Sequence, residues 1–181
     1  MSLFVGCNHM TNIIEYDNFF SDEDYDKILE TVRSPNWQFG HGSYHPDDPD
    51  YDKAFPFWVM GLEKDKFFTD HLLNIIEQKT QQQYELYDVY ANGHTFGTNG
   101  LFHEDWHDDI GRTFLLYANK SWNVDWGGKT VFNLGNDNYH FVIPKPNSAI
   151  LFPGLIPHAA ESTSRKFVDL RVTIAWKLLI K

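Results

Sequence analysis

The 181-residue chain is predicted to fold as a mainly β jelly roll with N-terminal helices packed on one of its sheets. Three observations lead to this fold class. Apolar residues recur with helical spacing before residue 84, whereas after it they form short runs typical of strands. Turn-forming Gly, Pro and Asn residues separate those runs at near-regular intervals. Many short strands behind two helices favour a double-sheet jelly roll with the helices on one outer face.

The first half of the chain predicts a short strand at 13–16, followed by two helices. Ser21 is a suitable N-cap for the first helix, with Asp24 three residues later in a capping-box arrangement. The second helix is predicted to span about 63–82. The apolar stripes at helical spacing are Tyr25, Ile28, Leu29 and Val32 in the first helix, and Phe68, Leu72, Ile75 and Ile76 in the second.

Between the helices, residues 40–52 contain Gly, His, Pro and Asp without any period. The simpler interpretation is a solvated loop. The alternative is a mobile flap over a binding site, because Tyr51, Phe55, Phe57 and Trp58 crowd its exit. Under the second interpretation, segment 40–58 would close over substrate and set substrate choice.

The second half predicts strands at 84–91, 113–118, 129–134, 139–143, 148–152 and 168–176. Alternation in the last strand would place one face against the helices, namely Val168, Leu170, Val172, Ile174 and Trp176. The smaller, more polar face would line the barrel, and Arg171 would point into it. Residues 1–181 are thus predicted to form a single domain, with 1–83 as helical support and flap and 84–181 as the jelly-roll core that carries the site.

Composition narrows the possible partners. The net charge of −10 and pI near 5.2 argue against a nucleic-acid partner, which normally requires a basic face. Cys7 is the only cysteine, so neither an internal disulfide nor a cysteine-based zinc site is expected. No leader sequence and no apolar run of membrane-spanning length is recognisable, so we expect a cytoplasmic protein without a membrane partner.

The motif His-x-Asp occurs three times, and each occurrence could supply two metal ligands. The occurrences are His45-Pro46-Asp47, His103-Glu104-Asp105 and His107-Asp108-Asp109. The first lies in the irregular segment, where nothing fixes the direction of its side chains. The second follows a possible extended segment, in which residues i and i+2 point to the same side. Spacing therefore favours 103/105, while 107/109, nearer the turn at Gly111, stays open as the alternative.

A distant histidine, His158, is the candidate for a third ligand. A lone His beside apolar residues is more often a hydrogen-bonded core residue than a ligand. However, His158 lies between two strong predicted strands, and neighbouring strands of a barrel could bring it to His103. Two imidazoles and one carboxylate on a single face leave three coordination positions open, an arrangement typical of non-heme Fe(II) oxygenases. A bidentate 2-oxo acid and O2 would fill these positions.

Arg171 is the candidate for binding the anionic co-substrate, since its guanidinium matches a carboxylate and stays charged when partly buried. Tyr117 shares a predicted inward face with Thr113 and Leu115 and could add a hydroxyl donor. Arg165 is the competing cation, but residues 162–166 have the composition of an exposed loop.

Residues 87–177 resemble the 2-oxoglutarate- and Fe(II)-dependent oxygenases, specifically their prolyl 4-hydroxylase-like branch. The resemblance covers about half of the chain strongly, and it extends weakly to residues 17–21. The matching segments are Tyr90-Ala91-Asn92-Gly93, His103-Glu104-Asp105, 113–119, 126–132, Pro144-Lys145-Pro146-Asn147, His158 and Arg171-Val172-Thr173-Ile174.

The resemblance implies a double-stranded β-helix, which is a form of jelly roll. It also implies that His103, Asp105 and His158 are the catalytic iron ligands, that Arg171 and Tyr117 bind the distal carboxylate of 2-oxoglutarate, and that Tyr90 lies at the edge of that pocket. The implied cofactors are Fe(II), 2-oxoglutarate and O2, with ascorbate as an accessory reductant.

The resulting hypothesis is a dioxygenase that hydroxylates an unactivated C–H bond and releases succinate and CO2. The resemblance implies a prolyl residue of a peptide or protein as the substrate, with a small amino acid as the other substrate class. The alternative is a non-catalytic, cupin-like metal-binding jelly roll. Arg171 and Tyr117 distinguish the two, because a structural metal site needs no anion anchor deep in the barrel.

Overall fold

The computed structural model describes residues 12–43 and 55–181, and the strands in these ranges form two antiparallel sheets. The larger sheet has seven strands in the order β1-β8-β5-β10-β4-β3-β2, and the smaller has three in the order β7-β6-β9. The strands are β1 (Ile14–Tyr16), β2 (Gln38–His41), β3 (Phe57–Gly61), β4 (Tyr84–His94), β5 (Gly111–Tyr117), β6 (Thr130–Asn133), β7 (Tyr139–Val142), β8 (Ala149–Pro153), β9 (His158–Ala160) and β10 (Arg171–Ile180). The predicted jelly roll is confirmed.

The first helix, α1 (Asp22–Val32), begins where the sequence predicts. The Ser21 hydroxyl accepts a hydrogen bond from the Asp24 N–H at 3.1 Å, which satisfies one free donor of the first turn. The predicted stripe of Tyr25, Ile28, Leu29 and Val32 is buried.

The second helix begins later than predicted. A π-helical segment (Phe67–Leu72) continues into α2 (Leu73–Thr80), and residues 63–65 are not helical. The cause is a turn in which the Asp65 N–H donates to the Leu62 carbonyl at 3.0 Å, while the Asp65 carboxylate accepts from the Phe67 N–H at 2.9 Å. No helix in the described ranges is long and apolar enough to span a membrane.

The main hydrophobic core lies between the larger sheet and the helices. Trp176 of β10 is fully buried there, contacts Phe114 of β5, and donates its indole N–H to the Phe68 carbonyl at 3.1 Å. The prediction for the bulky face of the last strand is therefore confirmed from Val172 onward. The predicted start at 168 is wrong, because β10 begins at Arg171 and Val168 is 96% exposed.

The second core fills the space between the two sheets and supports the site. Leu115 and Tyr117 of β5 and Phe152 of β8 project into it from the larger sheet, and Phe132 of β6 projects from the smaller one. Strand alternation thus divides β5 as predicted, with Phe114 and Leu116 on the helix side and Thr113, Leu115 and Tyr117 on the inner side.

The prediction that an irregular segment starts at residue 40 is wrong, because β2 continues to His41. Gln38–His41 and Phe57–Gly61 pair as β2 and β3, and β3 also pairs with β4. Burial of Phe57 and Met60 gives β3 its place between β4 and the edge strand β2. Most of the expected flap, at 44–54, lies outside the described residues, as does the His45-Pro46-Asp47 motif.

Candidate metal centre

Backbone pairing brings two of the predicted metal ligands, His103 and His158, together. The His103 N–H donates to the His158 carbonyl at 3.1 Å, and the His158 N–H donates to the His103 carbonyl at 3.0 Å. This isolated antiparallel bridge extends the smaller sheet by one residue pair beside β9. The ring centroids of the two histidines are 4.5 Å apart as a result.

Both imidazoles are oriented by backbone carbonyls. The Nδ1 atom of His103 donates to the Leu101 carbonyl at 2.8 Å, and the Nδ1 atom of His158 donates to the Ile156 carbonyl at 3.0 Å. A carbonyl can only accept, so in the neutral rings the proton is on Nδ1 and the Nε2 lone pair is free. This is how metal-ligating histidines are usually held.

Asp105 supplies the third side chain. Its backbone N–H donates to the Gly154 carbonyl at 2.8 Å, which fixes it at the end of β8. Its Oδ1 lies 3.4 Å from Nε2 of His103, and its Oδ2 lies 3.4 Å from Nε2 of His158. Within the described ranges, these three residues are the group of His, Cys, Asp and Glu side chains that could hold a metal, with ligand atoms all within 4.8 Å of one another.

The carboxylate of Asp105 has two further partners on strands of the larger sheet. The Thr113 hydroxyl donates to Oδ2 at 2.6 Å, and the Lys177 ammonium contacts the same oxygen. The Lys177 ammonium also lies over the Tyr90 ring, 5.8 Å from its centroid. The side chain of Lys177 is 12% exposed and that of Asp105 4%, so this ion pair is largely shielded from water.

The protonation states suit metal binding. Burial alone would raise the pKa of the Asp105 carboxyl, but Lys177, His158 and His103 hold it well below its usual value. Burial lowers the pKa of His158 to about 4, so this ring is neutral at neutral pH. Burial would lower the pKa of Lys177, yet the pairing with Asp105 raises it, and the ammonium stays charged. A metal therefore meets one carboxylate and a neutral imidazole without first displacing protons.

Arg171 lies at the start of β10 and is 1% exposed. Its Nε donates to the Gly128 carbonyl at 2.6 Å, and one terminal nitrogen donates to the Thr130 hydroxyl at 3.1 Å. Burial lowers its pKa, although the group still titrates far above neutral pH. No carboxylate in residues 12–43 and 55–181 forms an ion pair with this guanidinium.

Tyr117 is placed behind Thr130 and not on the cavity surface. Its hydroxyl donates to the Thr130 hydroxyl at 2.7 Å, and its ring lies 5.6 Å from the Arg171 guanidinium carbon. Burial raises the pKa of Tyr117 to about 12, so the phenol stays protonated. The predicted neighbourhood of Arg171 and Tyr117 is present, with Thr130 linking the two.

One cavity of about 730 Å³ connects the metal group to Arg171. This volume lies in the range of small-molecule sites. Its lining includes the three metal-group residues, Arg171, Lys177 and Tyr90. Strand register explains the arrangement, since Arg171, Thr173, Ala175 and Lys177 share the inner face of β10.

The competing His-x-Asp motif is directed to solvent. The His107 side chain is 93% exposed and lies 4.0 Å from Glu104, and Asp109 is also exposed. Neither residue belongs to the group that could hold a metal. Arg165 is exposed as well, over the ring of Phe96.

The sequence alone did not indicate Lys177, Thr130, His94 or the ligand-holding role of Thr113. The signal for Lys177 was available, because it continues the i+2 series of Arg171, but the predicted strand ended at 176. His94 pairs with Arg171 across β4 and β10 and is 3% exposed. Neither of its ring nitrogens has a hydrogen-bond partner among the described residues, a feature that no sequence pattern could have indicated.

No protein-family model matches the chain, and no curated protein matches its sequence significantly. Solved structures do match. A prolyl hydroxylase from Trichoplax adhaerens, in complex with a peptide of the hypoxia inducible factor oxygen degradation domain, superposes with a TM-score of 0.68 at 15% identity, over 92% of this chain and 83% of that one. A Pseudomonas putida prolyl-4-hydroxylase gives 0.68 at 14% identity, over 94% of both chains. The chain has the fold of these hydroxylases.

A third similar structure is an oxidoreductase of the 2OG-Fe(II) oxygenase family from Burkholderia pseudomallei. Its TM-score is 0.69 at 9% identity, over 92% of this chain and 84% of that one. The double-stranded β-helix expected from the sequence resemblance is thus confirmed at the level of fold.

Proposed function

We propose that this protein is a 2-oxoglutarate- and Fe(II)-dependent dioxygenase that hydroxylates an unactivated C–H bond. The observation that carries the proposal is the buried guanidinium of Arg171, which forms no ion pair with the described residues, in the same cavity as His103, Asp105 and His158. An unpaired buried charge is costly, so its presence indicates a bound anion. The similar structures, which include a 2OG-Fe(II) oxygenase family member and prolyl hydroxylases, support the same function.

The side chains fit a ferrous ion. Two imidazoles, each bonded to a backbone carbonyl through Nδ1 and so able to offer Nε2, and one ionised carboxylate form the donor set that Fe(II) oxygenases use. His103, Asp105 and His158 would hold the ion. When bound, iron would supply the activation of O2 that the side chains themselves cannot perform.

The chain's own residues would bind and orient 2-oxoglutarate. Arg171 would hold the distal carboxylate through its free N–H groups, and Thr130, already linked to Tyr117, would fix the direction of the guanidinium. Tyr90, which lines the cavity beside Lys177, would contact the co-substrate nearer the metal. A cupin-like structural metal site would leave the buried charge of Arg171 unexplained.

The net reaction balances as one C–H bond converted to C–OH while 2-oxoglutarate is oxidised to succinate and CO2. One oxygen atom of O2 enters the product and the other enters succinate. We propose a prolyl residue of a peptide or protein as the substrate. The support is the fold shared with prolyl hydroxylases, one of them determined with a peptide.

The test is a succinate-formation assay with anaerobically loaded Fe(II). Purified protein should convert 2-oxoglutarate slowly alone, and faster with a matching substrate from a panel of proline-containing peptides and free amino acids. Ascorbate should prolong turnover without changing the initial rate. Absence of 2-oxoglutarate turnover with every member of the panel, in protein that binds Fe(II), would contradict the proposal.

A further inference from the structure

The two oxygens of the Asp105 carboxylate have different surroundings. Oδ2 accepts the 2.6 Å hydrogen bond from Thr113 and contacts the Lys177 ammonium. Oδ1 has the Nε2 atom of His103 at 3.4 Å, a separation longer than a normal hydrogen bond. Nε2 of His158 is equally far from Oδ2, at 3.4 Å. One oxygen is therefore occupied by strong donors and the other is available.

The position of Lys177 is set by the fold. In the larger sheet Lys177 pairs with Thr113 of β5 on one side and with Asp88 of β4 on the other. The register between β10 and β4 shifts immediately after this pair, so that Tyr87 is an extra residue in β4. Bulges of this kind direct side chains next to active sites. Lys177 therefore points inward from the same face as Arg171 and reaches the metal group from the larger sheet.

We propose that Lys177 and Thr113 are positioning residues that bind Oδ2 of Asp105 and leave Oδ1 as the one carboxylate oxygen offered to the metal. The proposal rests on the proposed function. A carboxylate that binds through both oxygens occupies an extra coordination position, whereas a bidentate 2-oxo acid and O2 together need three. Lys177 would thus keep those positions open, and its charge would offset the buried carboxylate before metal arrives.

The experiment measures metal binding and not turnover. Co(II) is titrated into chelator-treated wild type, Lys177→Met and Lys177→Arg, and binding is followed by visible absorption. Loss of an outer partner of a metal ligand typically weakens metal binding by about 10- to 100-fold, and we expect this for Lys177→Met. Lys177→Arg should recover most of the affinity. Lys145→Met is the matched control, because it removes the same charge from an exposed Lys–Asp pair with Asp17, and should bind Co(II) as wild type does.

A second measurement reports how many coordination positions of the metal are left to water. Water-proton relaxation of the Mn(II)-loaded proteins, at saturating metal, should show one exchangeable water fewer in Lys177→Met than in wild type. If Lys177→Met does not fold, Thr113→Val and Thr113→Ser replace it. Thr113→Val should then show the weaker Co(II) binding and the missing water, and Thr113→Ser should recover both.

The outcomes separate the inference from the proposed function. Wild-type protein that binds no Co(II) contradicts the proposed function itself. Wild-type protein that binds Co(II) while Lys177→Met binds it as tightly or more tightly overturns only the inference, since Lys177 would then compete with the metal for Asp105. An unchanged water count in a folded, metal-saturated variant overturns it too.

Discussion

At the scale of single residues, Arg171 is the side chain whose environment is explained least by folding alone. Its guanidinium is buried, bonded to Gly128 and Thr130, and has no carboxylate partner in the described part of the chain. Arg171→Ala should raise the 2-oxoglutarate concentration needed for half-maximal turnover by roughly ten- to hundred-fold, as expected for loss of a charged hydrogen bond of about 1.5–3 kcal/mol. Initial-rate assays test this.

Arg165→Ala is the matched control for that experiment, since Arg165 is an exposed arginine six positions earlier. It should leave the 2-oxoglutarate requirement unchanged. If Arg165→Ala has the large effect and Arg171→Ala does not, the anchor has been assigned to the wrong arginine.

Tyr117→Phe should have a smaller effect in the same assay. The Tyr117 hydroxyl reaches the site only through Thr130, so the substitution removes one neutral hydrogen bond of about 1 kcal/mol. We expect the 2-oxoglutarate requirement to rise less than tenfold with an unchanged maximal rate. A loss equal to that of Arg171→Ala would mean that the phenol itself contacts the co-substrate.

His94 should make the stability of the fold depend on pH. Burial, with Arg171 nearby, lowers its pKa to about 3, whereas an unfolded histidine titrates near 6.5. Below pH 6.5 the unfolded chain binds a proton that the folded chain does not, so the free energy of unfolding falls, by up to about 1.4 kcal/mol per pH unit. The loss continues as the pH falls towards 3.

Urea unfolding of chelator-treated protein between pH 7 and 5 checks this. The slope of the free energy of unfolding against pH should be shallower for His94→Leu, by the equivalent of up to one bound proton. The slope for His107→Leu, a substitution at an exposed histidine, should match that of wild type. His158, with its pKa of about 4, contributes in the same direction and remains in both variants. Equal slopes for wild type and His94→Leu would refute the prediction.

The sequence predicted residues whose chemistry is recognisable from spacing, and failed for those defined by a tertiary neighbour. His103, Asp105 and His158 were selected by motif and order, and the structure brings them together. Lys177 and Thr113 become notable only because strands 64 residues apart in sequence converge on Asp105. The i+2 series from Arg171 could have placed Lys177 on the inner face, but no local pattern encodes its contact with Asp105, so that contact could not be predicted.

At the scale of elements, the segment carrying Asp105 is fixed by the packing of Trp106 against two glycines. A Cβ added at Gly154 would lie 2.2 Å from Cδ1 of Trp106, and one at Gly111 would lie 2.2 Å from its Cγ. The Gly154 carbonyl also accepts the N–H groups of Asp105 and Trp106. Glycine at these two strand ends thus allows the close approach that positions the ligand.

Gly154→Ala should therefore lower the free energy of unfolding by about 1–3 kcal/mol through overpacking, and should weaken Co(II) binding by displacing Asp105. Trp106→Ala removes the clashing ring, so Gly154→Ala should cost less in that background than in wild type. A double-mutant cycle from urea unfolding measures the difference. Additive effects of the two substitutions would show that the ring and Gly154 do not interact as described.

Elements with their own periodicity were predicted well, and elements defined by pairing were not. The helix α1 and the strands β5, β6, β7 and β8 were placed within about two residues, because an apolar stripe marks the helix and turn residues bound the short apolar runs of the strands. Strand β9 has three residues and no alternation, so only its bridge to β6 and His103 makes it a strand. Strand β2 is mostly exposed and likewise depends on β3.

At the scale of the whole molecule, the two sheets are joined across the cavity at two places. Arg171 of the larger sheet bonds to Gly128 and to Thr130 of the smaller sheet at one end. At the other end His158 belongs to the smaller sheet, while Asp105 is held by Thr113 and Lys177 of the larger one. A bound metal would therefore connect the sheets directly, so its binding should stabilise the entire fold.

Co(II) at about one hundred times its dissociation constant should add about 2.7 kcal/mol to the free energy of unfolding. For a domain of this size that corresponds to a rise in melting temperature of roughly 5–11 °C, reversible with chelator. The rise should disappear in His103→Ala, Asp105→Ala and His158→Ala, because each removes one ligand. It should persist in His107→Ala, whose side chain is 93% exposed. Thermal unfolding by circular dichroism measures all of these, and loss of the rise in His107→Ala with its retention in His103→Ala would move the metal to the competing motif.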